Sequence, residues 1–393
     1  MSASVIIGGA RTPIGRLLGS LKDLTAADLG AHAIRHALER SHVAPDLVQH
    51  VLMGNVIQAG NGQNPARQAA VAAGIGMHVP ALTINKVCLS SLEAIAYADF
   101  MIRAGEADCI VAGGMESMTR APHLLPGGRE GVKYGSWELL DSIAEDALTD
   151  SFERVSMGTS TDRYNDDHVH LSREEQDAFA VRSHQRAHSA TSSGVFAHEL
   201  APISIPQRKG PDVVLGHDEG VRGDVSMESL ARLRPAFVDG GTVTAGNASQ
   251  ISDGAAAVVV MSKARAEALG LQWIAEVVST ASVAGPDPSL AFQPANATAA
   301  ALAKSGLTVH DLALVEFNEA FAAVGLSSQR KLSIPDDILN VNGGAIAMGH
   351  PVGMSGARLT LHLALELGRR GGGYGAAALC GGGGQGNAII LKV

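Results

Sequence analysis

Short apolar runs alternate with longer amphipathic segments over the first part of the chain. The runs at residues 5–7, 51–53 and 109–112 have the length and composition of buried strands, each with glycine nearby. A helix is predicted to begin after Thr25, because Asp28 follows at the spacing of a capping box. This alternation of strands and helices favours an α/β fold with a largely parallel sheet.

The pattern changes in the middle of the chain and then returns. Proline, histidine and mixed charge are concentrated there among short helical patterns, as expected for a looser layer inserted over the core. Buried-strand composition resumes at residues 255–261, and no internal sequence repeat is visible. We therefore expect three parts: an N-terminal α/β half at 1–120 and 246–270, a loop domain at 121–245, and a C-terminal α/β half at 271–393.

Composition and charge narrow the class of protein. Apolar residues make up 46% and charged residues 18% of the chain, a balance that supplies large cores and opposes disorder. The net charge of −9 disfavours nucleic acid and anionic membranes as partners, because both select basic surfaces. The first residues, MSASVIIGG, lack the pattern of a signal peptide, and no apolar stretch is long enough to span a membrane. Since only three cysteines occur, we expect a protein of a reducing compartment, the cytoplasm.

Cys88 is the first candidate for chemistry. It precedes an apolar stretch at residues 92–102 that is predicted to be a buried helix. The free N–H groups at a helix start lower the pKa of a nearby thiol and favour the thiolate. A structural, buried cysteine is the alternative for this segment, and it is the better interpretation for Cys109 inside its apolar strand.

Three more residues suit the same chemistry. Cys380 leaves a predicted strand directly into a run of glycines, whose N–H groups can bind an oxyanion. His350 lies in a glycine-rich loop, and a histidine is the usual partner that deprotonates a thiol. Asn318 follows another predicted strand, where it could cap a helix or hold a water or a substrate carbonyl. Histidine pairs elsewhere have no third ligand, so we predict no metal site.

Taken together, these segments resemble the thiolase family nearly from end to end. Each motif alone has low to moderate specificity, whereas their order and combination are highly specific. In chain order they are GARTP at 9–13, GQNPARQ at 62–68, NKVCLSS at 85–91, AGGMESM at 112–118, GTVTAGNAS at 241–249, NEAFA at 318–322, NGGAIAMGHP at 342–351 and CGGGGQG at 380–386. The resemblance implies the thiolase fold, which has two similar α/β halves in α-β-α-β-α layers and an inserted loop domain. It also implies a homodimer or homotetramer.

The resemblance also implies a role for each candidate residue. Cys88 would be the nucleophile, His350 the base that activates it, and Cys380 the acid and base at the α-carbon of the substrate. Asn318 would hold a water that, with His350, stabilises the enolate oxygen. The backbone N–H groups of Cys88 and Gly382 would form a second oxyanion hole.

Substrate contacts follow from the same resemblance. Ser249 would contact the pantetheine arm of coenzyme A, and Arg222 its nucleotide end. Further contacts with the acyl-CoA are expected at Met157, Ala245 and Phe321. No cofactor is expected, because coenzyme A is itself a substrate and product.

The reaction that the resemblance implies is the reversible condensation of acetyl-CoA to acetoacetyl-CoA through an acyl thioester on Cys88. Ser91, Ser156, Gln250 and Ser252 depart from the usual family pattern, and they leave the acyl chain length open. A thiolase for longer 3-ketoacyl-CoAs in β-oxidation is therefore one alternative. A catalytically silent protein that binds coenzyme A or lipid is the other.

Overall fold

Strands and helices alternate through the chain in a computed structural model that describes residues 3–207 and 209–393. The strands are β1 (Ser4–Arg11), β2 (Gly15–Arg16), β3 (His50–Gly54), β4 (Ala81–Ile84), β5 (Cys109–Ser117), β6 (His123–Leu124), β7 (Leu140–Asp141), β8 (Ile203–Ile205), β9 (Val213–Leu215), β10 (Ser252–Ser262), β11 (Ala275–Ala284), β12 (Leu312–Phe317), β13 (Tyr374–Gly381) and β14 (Gln385–Lys392). The α-helices are α1 (Ala26–Ser41), α2 (Pro65–Ala72), α3 (Ser90–Ala104), α4 (Met157–Tyr164), α5 (Arg173–Ser192), α6 (Met227–Ala231), α7 (Lys263–Leu269), α8 (Gln293–Ser305), α9 (Ala322–Leu332), α10 (Ala345–Met348) and α11 (Ser355–Arg369). Within these described ranges, none of the helices has the length and apolarity needed to cross a membrane.

The first long helix begins where its sequence predicts. The hydroxyl of Thr25 accepts the N–H of Asp28 at 3.1 Å, and the carboxylate of Asp28 accepts the N–H of Thr25 at 3.0 Å. Both contacts satisfy donors that the start of a helix leaves free. The capping box is thereby confirmed, and it sets the face that α1 buries against β1 and β10.

The main sheet is mixed, so the prediction of a largely parallel sheet is wrong. Its strand order is β12-β13-β14-β11-β1-β10-β5-β3-β4. The pairs β12/β13, β3/β5 and β3/β4 are parallel, whereas β1/β10, β10/β5, β11/β14 and β13/β14 are antiparallel. The error has a physical cause: β10 is buried at every position, because layers cover both of its faces, and such a strand has the same apolar composition in either direction.

The two halves of the sheet repeat one arrangement. The N-terminal half has the order β1-β10-β5-β3 and the C-terminal half has the order β11-β14-β13-β12. In each half the first two pairs are antiparallel and the third is parallel. The halves meet where Val5 and Ile6 of β1 pair with Glu276 and Ala275 of β11.

Five layers result from this repeat. The central cluster of buried side chains joins α3 and α11 to the inner faces of both halves of the sheet. A second cluster packs α1 and α2 on the outer face of the N-terminal half, and a third packs α8 and α9 on the outer face of the C-terminal half. The α-β-α-β-α layering that the resemblance implied is therefore confirmed.

Candidate active site

A cavity of about 530 Å³ brings together most of the residues singled out from the sequence. The predicted residues on its wall are Cys88, Met157, Ala245, Ser249, Phe321, His350, Cys380 and Gly382. They come from the turn before the central helix α3, the segment between β5 and β10, the connection between β12 and α9, the loop before α11, and the end of β13 with the turn after it. A wider groove between α5 and α9, of about 750 Å³, contains none of them.

A strained turn presents Cys88 just before α3. Val87 has a φ of 50°, which is unfavourable for a β-branched residue. The side chain of Asn85 accepts the N–H of Val87 at 3.0 Å, and the hydroxyl of Ser90 donates to the carbonyl of Val87 at 2.6 Å. The same hydroxyl accepts the N–H of Lys86 at 2.9 Å, so the turn is held from both sides of the cysteine.

The expected lowering of the thiol pKa does not occur in the resting protein. Cys88 packs against the apolar side chains of Val56, Ile57, Met118, Ala147 and Val352. This burial raises the pKa of the Cys88 thiol to about 12, although the backbone N–H groups of Cys88 and Gly382 act in the opposite direction. The helix start is too weak to compensate, because α3 begins two residues later, at Ser90. Cys88 therefore rests as a thiol and needs a base.

His350 meets the requirements for that base. Burial and the nearby charge of Arg358 lower the pKa of His350 to about 4, so its imidazole is neutral above that pH. Its Nδ1 lies 2.5 Å from the hydroxyl oxygen of Ser355, and that hydroxyl donates to the carbonyl of Pro351 at 3.0 Å. Because a hydroxyl has one proton, Ser355 accepts from Nδ1–H, which assigns the lone pair to Nε2. Nε2 in turn accepts from the side-chain amide of Asn318 at 3.3 Å.

Asn318 is not a helix cap, so that interpretation is wrong. The helix α9 begins at Ala322, with Phe321 at the capping position. Asn318 instead continues from β12 and donates its N–H to the carbonyl of Ala378 at 3.0 Å. Its buried side-chain oxygen accepts no hydrogen bond from the described residues. Asn318 therefore contacts the cavity residue His350, although it is not itself part of the cavity wall.

Cys380 lies at the end of β13, where its strand turns back into β14. Gly383 and Gly384 in this turn have φ values of 79° and 67°, which glycine adopts without strain. The side chain of Cys380 is buried, and burial together with the neighbouring Cys88 raises the pKa of its thiol well above the usual range. Both cysteines of the cavity are therefore protonated near neutral pH.

The substrate side of the cavity includes residues that the sequence did not single out. Phe237 meets Phe321 edge to face, with ring centroids 6.3 Å apart. Leu290 and Leu148 extend the apolar wall. Phe237 and Leu148 come from the segment between β5 and β10 and Leu290 from the connection between β11 and α8, where no local motif marks them.

Arg222 does not line the cavity. Its backbone N–H donates to Nδ1 of His184 at 3.3 Å, and its guanidinium lies 3.5 Å from Nε2 of the same ring. Arg16 is the arginine that reaches the cavity wall instead.

The four departures from the family pattern all have local roles. Ser91 accepts the N–H of Ala357 at 3.0 Å and so joins the starts of α3 and α11. Ser156 caps α4 by accepting a backbone N–H at 3.1 Å. Ser252 accepts the N–H of His350 at 3.2 Å and donates to the carbonyl of Gln250 at 2.8 Å. The side chain of Gln250 donates to backbone carbonyls of α10.

Comparisons with known proteins show which family this chain belongs to. A family model described as thiolase, N-terminal domain, matches residues 4–264, and one described as thiolase, C-terminal domain, matches residues 271–393. A protein of Mycobacterium leprae named "Probable acetyl-CoA acetyltransferase" is 60% identical over 392 residues, which cover 100% of both chains. The "Acetyl-CoA acetyltransferase" of Pseudomonas aeruginosa is 47% identical over 100% of this chain and 99% of its own. A "Probable acetyl-CoA acyltransferase" of Staphylococcus epidermidis is 46% identical over the same shares. The chain belongs to the thiolase family.

Proposed function

We propose that this chain is an acetyl-CoA acetyltransferase, an enzyme that reversibly condenses two acetyl-CoA molecules to acetoacetyl-CoA and coenzyme A. The observation that carries the proposal is the convergence of Cys88, His350 and Cys380 on one apolar cavity. Full-length relatives that carry this activity in their names support it. The reaction needs no cofactor, since coenzyme A is substrate and product.

The first half of the proposed reaction transfers an acetyl group to Cys88. Nε2 of His350 takes the thiol proton, and the thiolate attacks the thioester carbonyl of acetyl-CoA. The N–H groups of Cys88 and Gly382, which face the sulfur, donate to the oxyanion that forms. The departing coenzyme A thiolate takes the proton of Cys380. Acetyl-Cys88, an imidazolium on His350 and a thiolate on Cys380 result.

The second half uses those charges. The Cys380 thiolate removes the α-proton of a second acetyl-CoA, and its elevated pKa makes it a strong base. The imidazolium of His350 and a water held by the free side-chain oxygen of Asn318 would stabilise the enolate. The enolate attacks acetyl-Cys88, and the departing thiolate recovers its proton from His350. Thiolysis runs through the same steps in reverse.

A thiolase for longer 3-ketoacyl-CoAs is the second candidate. Apolar side chains line the cavity around Cys88, among them Met118, Leu148, Met157 and Val352. One of the similar proteins is named "Probable acetyl-CoA acyltransferase", a name in which the transferred group is acyl and not acetyl. Ser156 adds little bulk where it lines the cavity beside Met157, which leaves room for a longer chain.

Thiolytic cleavage tests these candidates directly. Acetoacetyl-CoA and the six- and ten-carbon 3-ketoacyl-CoAs would be compared as substrates with coenzyme A present, and the Cys88→Ala variant would serve as the control. We expect the highest kcat/KM for acetoacetyl-CoA. Faster cleavage of the longer substrates would establish the second candidate. A chain that binds coenzyme A and cleaves none of them would be a silent member of the family.

We further propose that the protein acts in the cytoplasm as a homodimer or homotetramer. The free cysteines fit a reducing compartment. A second copy is suggested by β4, which has no partner strand on its outer side in the described part of the chain and whose Leu82 is 52% exposed. The loop between β6 and β7 also exposes Tyr134 and Trp137, as expected for a further contact surface.

A further inference from the structure

Glu116 is a buried carboxylate for which the proposed chemistry has no use. It lies near the end of β5 and is fully shielded from solvent. Its Oε2 accepts the N–H groups of Gly353 at 3.1 Å and Val56 at 2.9 Å. Its Oε1 accepts the N–H of Ile57 at 3.2 Å and the side-chain amide of Asn55 at 2.8 Å. The carboxylate therefore holds the segment that follows His350, with four N–H donors and no cation as partners among the described residues.

Glu319 plays the matching part at the other end of the same loop. Its Oε2 accepts the N–H of Ile346 at 3.1 Å and the hydroxyl of Ser183 at 2.6 Å, and its Oε1 accepts the side-chain amide of Asn340 at 2.9 Å. The Ser183 hydroxyl in turn accepts the N–H of Gly344 at 3.1 Å. The loop at 344–353, which carries His350, is thus bound to a buried carboxylate at each end.

Glycine at the two ends of the loop makes these contacts possible. A Cβ on Gly344 would lie 2.3 Å from the carboxyl carbon of Glu319. A Cβ on Gly353 would lie 2.6 Å from the carbonyl oxygen of Met115 and 2.8 Å from Oε2 of Glu116. Neither glycine has a positive φ, so close approach excludes a larger residue: by the carboxylate at Gly344, and by both the carboxylate and the β5 backbone at Gly353.

The repeat of the two halves shows what Glu116 corresponds to. In the C-terminal half Phe317, the last residue of β12, pairs with Ala378, and Cys380 follows two residues later on β13. In the N-terminal half Gly54, the last residue of β3, pairs with Gly114. The residue two positions after Gly114 on β5 is Glu116. Glu116 therefore occupies the position that Cys380 has in the other half.

The neighbours of Glu116 correspond as well. Asn55 follows β3 as Asn318 follows β12, and Gly353 precedes α11 by the two residues that separate Cys88 from α3. The reactive group of Asn318, Cys380 and Cys88 thus has a counterpart in Asn55, Glu116 and Gly353. In this counterpart a carboxylate binds backbone N–H groups where the reactive group has two thiols.

We propose that Glu116 and Glu319 are positioning residues for His350, which fix both ends of its loop so that Nε2 faces the thiol of Cys88. The inference rests on the role proposed above for His350. Burying a carboxylate without a cation is costly, and loss of its charge leaves several backbone N–H groups without an acceptor. A loop freed at either end would move the imidazole, and a displacement of about 1 Å can reduce a rate about 10²-fold.

The substitutions Glu116→Gln and Glu319→Gln test the proposal. Each keeps the size of the side chain but turns an amide N–H toward donors that need an acceptor. We expect kcat for acetoacetyl-CoA thiolysis to fall about 10- to 100-fold while KM changes less than about threefold, because the substrate wall is untouched. Ser183→Ala, a milder change that removes one donor to Glu319, should lower kcat in the same direction and serves where a glutamine variant does not fold.

Glu316→Gln is the matched control. Glu316 is equally buried on β12, but it makes no hydrogen bond to the loop at 344–353. Its substitution should lower the melting temperature without a selective loss of kcat. Glutamine variants of Glu116 and Glu319 whose kcat falls no further than that of Glu316→Gln at equal thermal stability would overturn the proposal.

A double-mutant cycle with His350→Asn distinguishes a positioning role from a general loss of structure. The measured rate is the alkylation of Cys88 by iodoacetamide near pH 7. Glu116→Gln should slow it at least about fivefold in the wild-type background and should not slow it in the His350→Asn background, because the residue acts through His350 and its charge otherwise raises the pKa of Cys88. Equal slowing in both backgrounds would refute the positioning role alone. Full thiolytic activity of His350→Asn would instead refute the proposed function.

Discussion

At the scale of single residues, the site combines two thiols that rest in the protonated form with a histidine that rests neutral. Burial raises the pKa of Cys88 to about 12 and lowers the pKa of His350 to about 4. A proton can therefore pass from Cys88 to His350 only as the sulfur attacks an electrophile and charge develops.

The pH dependence of Cys88 alkylation follows from these pKa values. In the wild-type protein neutral His350 assists the reaction, so the rate should stay level from about pH 8 down to about pH 5 and fall only as the imidazole protonates near its pKa of about 4. In His350→Asn the free thiolate alone reacts, and the rate should drop about tenfold per pH unit. Initial alkylation rates by mass spectrometry measure both profiles. Parallel profiles would show that His350 does not assist.

The two cysteines have separable tasks, which single substitutions should reveal. Cys88→Ala should form no acyl-enzyme, since the nucleophile is absent. Cys380→Ala should still form acetyl-Cys88 from acetyl-CoA, though more slowly, and should make no acetoacetyl-CoA because no base reaches the α-carbon. The mass of the intact protein reports the first step, and product formation reports the second. Normal condensation by Cys380→Ala would contradict the assigned role.

The positions of these residues were open to prediction, whereas their environment was not. The glycine-rich motifs around His350 and Cys380 are local, so they are legible in the sequence. The raised pKa of Cys88 depends on apolar side chains from several segments that are distant in sequence and pack together around it. No spacing of residues in the sequence predicts that these segments come together. Ser355, which fixes the tautomer of His350, was missed for a different reason: its role depends on a hydroxyl direction.

At the scale of secondary-structure elements, the motif GARTP near the start of the chain has a structural role. Arg11, at the end of β1, is fully buried and pairs with Glu199 at 2.6 Å and with Asp218 at 2.7 and 3.0 Å. Glu199 also bonds His362 of α11 at 2.8 Å. Its pKa is lowered to about 2 by Arg11 and His362, which outweigh its burial. One arginine thus ties β1 to two segments that lie between β5 and β10.

Loss of that arginine should be costly. Arg11→Met keeps much of the volume but leaves two carboxylates buried without their cation, and we expect the free energy of unfolding to fall by about 3–5 kcal/mol. Arg154→Met is the control, since its pair with Glu145 is solvent-exposed and such pairs contribute about 0–1 kcal/mol. Urea unfolding of both variants measures the difference. Similar losses in the two would mean that the buried network contributes little.

Helices and strands were predictable from apolar spacing where their own sequence sets their limits. The capping box at Thr25 marks the start of α1, and the strand predicted at 255–261 lies within β10. Strand direction was not predictable, because β10 is antiparallel to both neighbours while its composition matches a parallel core strand. The domain limits drawn from composition at 120/121, 245/246 and 270/271 stay predictions.

At the scale of the whole molecule, the two halves repeat the same strand order, although no repeat is visible in the sequence. It places the starts of α3 and α11 side by side, with Gly356 of one against Leu92 of the other. Cys88 and His350 approach the cavity from the starts of these two helices, while Cys380 and Asn318 come from neighbouring strands of one half. The counterpart that contains Glu116 carries out no second reaction. It binds the loop that carries His350.

The open edge of the main sheet bears on how copies of the molecule assemble. Among residues 3–207 and 209–393, strand β4 has no partner on one side, and Leu82 on this strand and Met77 before it are 52% and 70% exposed. The helix α3, which packs against β4, also exposes Tyr97 and Phe100. An unpaired apolar edge of this kind favours self-association, and two copies related by a two-fold axis would pair identical edges.

We therefore expect Leu82→Lys to shift the protein from a dimer or tetramer toward smaller species. A lysine on each copy would place two like charges across the shared edge and lose the apolar contact. Light scattering after size-exclusion chromatography measures the mass of each species, and Leu269→Lys on α7 is the control, because its exposed leucine lies on a helix that packs against β1 and β10, away from this edge. A wild-type protein that is monomeric would contradict the proposed dimer. An unchanged mass for Leu82→Lys would instead place the contact elsewhere, with the exposed loop between β6 and β7 as the next segment to alter.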